Sequence, residues 1–164
     1  MLFRSVRVGG ERLRLLFQAQ ASYDRLVKDH PGFVRARVRL GRVLWMLEDM
    51  KGAELHLVRA HADARDPVQQ YLSAMFLGAV YEHRRDVTSA RTMYEQALAA
   101  APKSQSAAVA LGHLDVMAGR PDRAQARAES VLSRAPAADE WWAYKNGGVD
   151  WDAVNWLRQV VRGQ

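Results

Sequence analysis

The sequence predicts an all-α fold in which antiparallel helix pairs stack in series into a solenoid. Two observations carry this. Leu-Gly recurs at Leu40-Gly41, Leu77-Gly78 and Leu111-Gly112, at spacings of 37 and 34 residues. Further columns then follow in register: Ala53, Ala90 and Ala124; Leu57, Tyr94 and Ala128; Ala60, Ala97 and Val131. Self-similarity at such a period is the signature of a repeat architecture. The composition agrees, with 49% apolar and 26% charged residues in 164, a globular balance.

The first element is an amphipathic helix over residues 11–29, stopped by His30-Pro31-Gly32. Residues 1–10 form a poor helix, with Gly9-Gly10 as a hinge. Ala19, Tyr23, Leu26 and Pro31 repeat the spacing of a second helix. The array therefore opens with half a unit, residues 1–33, whose apolar side, one that a capping element usually covers, implies a partner surface, a homo-oligomer seam or a chain cut from a longer protein. Three full units follow at 34–67, 68–102 and 103–136, each two helices of about 12–15 residues joined by a short turn. Pro67, Pro102 and Pro136 close them. Gly41, Gly78 and Gly112 let the two helices of a unit approach, with Ala53, Ala90 and Ala124 opposite. Leu57 and Tyr94 are expected to fill the gap between units. Asp49, Asp86 and Pro121-Asp122 stand where second helices begin, suited to capping. Residues 137–164 hold Trp141, Trp142, Tyr144, Trp151 and Trp156, a tryptophan-rich cap. Its last helix runs from Asp150 to about Arg162, with Ala153, Val154, Leu157, Val160 and Val161 as its apolar stripe. An aromatic patch for a partner is the other reading of those tryptophans.

Leu77-Gly78, Tyr81, Ala90, Tyr94, Ala97-Leu98 and Pro102 together resemble the tetratricopeptide repeat. The resemblance covers about residues 34–136. It implies a right-handed solenoid, a concave surface lined by the first helix of each unit, and a role in protein binding. Arg37 and Asp115 depart from it, standing where the family favours a bulky apolar residue and tyrosine. Arginine in excess over lysine, 20 against 4, together with abundant alanine, fits a bacterial, high-GC coding bias.

On the concave surface so implied, Arg35, Arg39 and Arg42 lie at i, i+4 and i+7, followed by Trp45 and Met46. Met75, Phe76, Ala79, Glu82 and His83 follow from the second unit. Ser106, Val109, Ala110, His113 and Met117 follow from the third. Arginine offers a planar fork to carboxylates and methionine adapts to varied shapes. The expected occupant is a peptide or helix with apolar anchors and an acidic end. Val38 and Met75 stand where the polar clamp of chaperone-tail-binding members would be, so that specificity is not expected.

Charge supports a second reading. Residues 1–42 carry ten basic and three acidic side chains, while the other 122 sum to −1. A polyanion or nucleic acid could use that basic quarter, although Phe3, Phe17, Tyr23 and Phe33 are few for base stacking. Catalysis and metal chemistry find no support. Cysteine is absent. His56 and His61 are about 140° apart around a helix, off a common face. His-Glu-x-x-His, Gly-x-Ser-x-Gly and phosphate-loop motifs are missing. Asp115 has no evident partner, and Asp139-Glu140 suits capping or solvation. The expectation is a non-enzymatic scaffold without cofactor. No apolar run suits membrane insertion and residues 1–10 do not read as a secretory signal. A cytoplasmic location is the simplest expectation, or a periplasmic one if the chain is a piece of a secreted precursor.

Overall fold

The computed structural model describes residues 3–132 and 139–141. Among them are seven helices and no strand: α1 (Phe3–Asp29), α2 (Val34–Met46), α3 (Met50–Asp63), α4 (Pro67–His83), α5 (Val87–Ala100), α6 (Gln105–Met117) and α7 (Pro121–Leu132). The strongest contacts fall within the pairs α2/α3, α4/α5 and α6/α7, and the pairs meet serially through α3/α4 and α5/α6. The expected C-terminal helix, with Trp142, Tyr144, Trp151 and Trp156, lies outside the described residues, as does Pro136.

Local chemistry sets the helix ends. Asp49 caps α3 by accepting from the Gly52 amide at 2.9 Å, and Asp86 caps α5 from Ser89 at 3.1 Å. Each satisfies an N–H that the helix itself leaves open. Ser104 does the same for α6 through the Ala107 amide at 3.1 Å. The turn before α3, α5 and α7 is one motif used three times. Glu48, Arg85 and Gly119 take left-handed φ of 63°, 62° and 68°. The next amide reaches back five residues: Asp49 to Leu44, Asp86 to Tyr81 and Arg120 to Asp115, each at 2.9 Å. This is the six-to-one bond that closes a helix end on a left-handed residue.

Three sequence expectations are corrected. α1 begins at Phe3 and runs through Gly9 and Gly10, so no hinge interrupts it. The local preference of two glycines is small beside the propagation of a 27-residue helix. Pro67 does not close the first pair but opens α4 at its first turn, behind the Asp66 cap. Proline suits that position because its missing N–H would have no partner there anyway. Leu57 and Tyr94 do not fill gaps between units. A Cβ built on Gly41 would lie 2.4 Å from Leu57 Cγ, and one on Gly78 would lie 2.3 Å from the Tyr94 ring. The large side chain of each second helix thus seats on the glycine of its own first helix.

α4 is the hub. Gln69 and every residue from Tyr71 to Gly78 are buried, because α3, α5 and α2 all pack on α4. A helix enclosed on most sides loses its amphipathic contrast. Its Tyr71, Phe76 and Leu77 join Leu40, Leu57, Leu111 and Leu114 in one continuous core. α1 packs on α2 through Val27, Leu26 and Tyr23. Leu13, Leu15 and Phe17 stay about half exposed at the opening of the array.

Candidate binding groove

Helix geometry locates the strip that carries most of the candidate lining residues. On α4, Gly78 faces Tyr94 of α5. At 100° per residue, Leu72, Phe76, Ala79 and His83 lie roughly 100–160° around from that glycine, on the side away from α5. The same register places Arg35, Arg39, Arg42 and Met46 on this strip of α2. On α6 it places Ser106, Ala110, His113 and Met117. The strip is basic on α2 and mainly apolar on α4 and α6.

Exposure along the strip is uneven. Arg35 and Arg39 are exposed, Arg42 and Met46 half-buried. The Arg39 guanidinium reaches back to Tyr23 Oη of α1 at 3.5 Å. His83 is exposed, 3.7 Å from the Glu48 carboxylate, and Ala79 and His113 are half-buried. Met117 is 72% exposed.

Trp45, Met75 and Val109 fall off the strip. They lie roughly 40–60° from the glycine of their own helix. Met75 is 3% exposed and belongs to the core, so it is removed from the lining. Trp45 is half-buried against that core, with its indole N–H buried and unbonded. Val109 is half-buried.

Polar networks stiffen the strip from beneath. Tyr94 Oη donates to Glu82 Oε2 at 2.7 Å, and Glu82 Oε1 pairs with His113 Nδ1 at 2.7 Å. Burial opposes the charge on Glu82, yet the hydrogen bonds from His113 and Tyr94 outweigh it and hold its carboxyl below the usual range. A group with a depressed folded value stabilises the fold above its unfolded value and loses that contribution as pH falls. Stability should therefore decline as pH drops below about 4.5. Glu82→Gln should flatten part of that decline, read from denaturant midpoints across pH. An unchanged pH profile in Glu82→Gln would show that the network carries no such linkage.

Sequence reasoning missed two clusters. Asp115 is fully buried and accepts from Arg91 Nη2 at 2.8 Å and Arg127 Nη2 at 3.4 Å, with Arg120 Nη2 at 3.5 Å. Only its place in the column of Leu44 and Tyr81 signalled burial. The second is Asp139, whose oxygens accept from Tyr71 Oη at 2.5 Å, Ser104 Oγ at 2.9 Å and the amides of Ser106 at 2.9 Å and Trp141 at 3.0 Å. Trp141 packs on Phe76, ring centroids 4.6 Å apart and planes at 47°. The expectation that Asp139 caps a helix holds in an unexpected form, since the helix is the distant α6. Trp141 covers α4 at Phe76, on the same strip.

Among the described residues no group of histidine, aspartate and glutamate has the geometry of a metal site. His61 instead bridges Ser73 and Gln96 at 2.9 and 2.8 Å. No helix among them is long and apolar enough to cross a membrane.

Sequence profiles described as tetratricopeptide repeat match residues 17–69 and 83–146. The chain belongs to the tetratricopeptide-repeat family. A solved structure titled "Crystal structure of MamA" is similar over 95% of this chain and 90% of that one, with a TM-score of 0.66 at 19% sequence identity. That likeness shows the all-α tetratricopeptide-repeat solenoid. A sequence comparison with curated proteins finds no significant match. Tetratricopeptide-repeat proteins are in general non-enzymatic scaffolds, which supports protein–protein interaction as the coarse role here.

Proposed function

We infer that the strip formed by α2, α4 and α6 binds a peptide or helix with apolar anchors and an acidic end. The acidic end lies against Arg35, Arg39 and Arg42, and the anchors lie along Ala79, His83, His113 and Met117. The change of character along one register carries this reading: arginines on α2, and Ala79, Ala110 and Met117 as the accessible apolar side chains at matching positions of α4 and α6, where Leu72 and Phe76 are buried in the core. Met117 supports it further, since a methionine so exposed suits adaptable apolar contact.

A glutamate-ended amphipathic peptide with leucine anchors provides the test by fluorescence anisotropy. Removing all three arginines (Arg35→Ala, Arg39→Ala, Arg42→Ala) should weaken binding about tenfold, from roughly 0.5 kcal/mol for each exposed charge pair. Met117→Asp should weaken it as well. Affinity unchanged in both variants would remove the groove reading.

The basic quarter is read in the same experiment. Arg12, Arg14, Arg25 and Lys28 are exposed on α1, and Arg35 and Arg39 on α2. Retention on heparin with a steep salt slope, abolished in the arginine variant, would favour a polyanion instead.

A further inference from the structure

Asp139 is only 6% exposed, and among the described residues the donors that hold its carboxylate are neutral. Tyr71 and Ser104 come from α4 and the α6 cap, and the Ser106 amide belongs to the first turn of α6. The positive end of the α6 dipole adds to them. Two residues on, Trp141 is 8% exposed with its ring on Phe76, while Glu140 between them is exposed. The backbone N–H of Trp141 bonds back to Asp139 Oδ1, which fixes the spacing between carboxylate and ring. A cavity of about 320 Å³ continues from this point, lined in part by Pro67, Val68, Lys103 and Glu140. A carboxylate pocket and an aromatic seat thus stand side by side, and the seat lies on the ligand-facing strip.

We propose that Tyr71, Ser104, the Ser106 amide and Phe76 form a recognition site for an acidic-x-tryptophan segment. Asp139-Glu140-Trp141 fills this site in cis, and the same motif in a partner protein displaces it. The partner is thereby defined by chemistry: an exposed segment with a carboxylate two residues before a tryptophan. Own-chain occupancy sets a threshold, since a tethered ligand competes at high effective concentration. The proposal rests on reading the strip as a peptide-binding face. It does not rest on Arg35, Arg39 or Arg42, so the arginine variant and the variants below fail independently.

The test uses the full chain and a labelled synthetic peptide, Ala-Asp-Glu-Trp-Trp, with Ala-Asn-Glu-Ala-Trp as control. The double variant Asp139→Asn/Trp141→Ala vacates the site. It should bind the first peptide at least tenfold more tightly than the native chain does, and the control no better. Adding Tyr71→Phe should reverse most of that gain. A second measurement needs no variant: excess peptide should accelerate hydrogen exchange at the Trp141 amide of the native chain, and the control peptide should not. No gain on vacating the site in a folded variant, with no change at the Trp141 amide, would overturn the proposal. Dimerisation of the native chain by exchange of this segment between two copies would also overturn it, by replacing the partner with the chain itself.

Discussion

Asp115→Ala should destabilise the protein by about 3–5 kcal/mol, the cost of removing one partner from a buried charge cluster. The carboxylate is fully buried, and Arg91, Arg120 and Arg127 converge on it from α5, the turn before α7, and α7. The Nε atoms of Arg120 and Arg127 are buried and unbonded, so Asp115 is the main compensation that these arginines have. Asp115→Asn should cost less, because an amide oxygen still accepts one of the hydrogen bonds. Chemical denaturation followed by helical circular dichroism measures both. Stacked repeats lose stability nearest the lesion first, so hydrogen exchange in Asp115→Ala should rise in α6 and α7 before α2 and α3. A loss below about 1 kcal/mol would show that the arginines find water or other partners, contrary to the burial argument.

Alanine in the glycine column should have opposite signs in two repeats. Gly78→Ala places a Cβ 2.3 Å from the Tyr94 ring. That ring is buried and its hydroxyl is tied to Glu82, so it cannot swing aside. Overpacking of this kind costs about 1–3 kcal/mol, and the tight contact puts Gly78 at the upper end. Alanine recovers about 1 kcal/mol of helix propensity, leaving a net loss of about 2 kcal/mol. At Gly112 the nearest atom to an added Cβ is Ala124 O at 4.0 Å. Only the propensity gain remains, and Gly112→Ala should stabilise by about 1 kcal/mol. Denaturant midpoints of the two variants decide it. Shifts in the same direction would mean that the column is conformational rather than steric.

Features fixed by short-range chemistry were legible in the sequence. Asp49 and Asp86 cap because an aspartate before a helical run has an amide within reach two or three residues on. The glycine and Leu57/Tyr94 columns were legible too, but their direction of packing was not. Periodicity reports that two positions are matched and leaves open whether the match lies within a pair or between pairs. Met75 shows the same limit. It stands one residue from Phe76, and that single step of 100° moves it off the strip of Ala79 and His83 toward Gly78, where it is buried in the core. The partners of Asp115 and Asp139 were illegible for another reason. Arg91 is 24 residues from Asp115 and Tyr71 is 68 from Asp139, and no local pattern announces such meetings. Asp115 broke an expectation by standing in the column of Leu44 and Tyr81. A residue that breaks its column was the better guide to an unforeseen interaction.

Amide chemical-shift mapping with the glutamate-ended amphipathic peptide tests the central claim most directly. The groove account predicts shifts concentrated at Arg35, Arg39 and Arg42 on α2, Ala79 and His83 on α4, and His113 and Met117 on α6. Shifts confined to α3, α5 and α7, or to Leu13–Phe17 of α1, would contradict it.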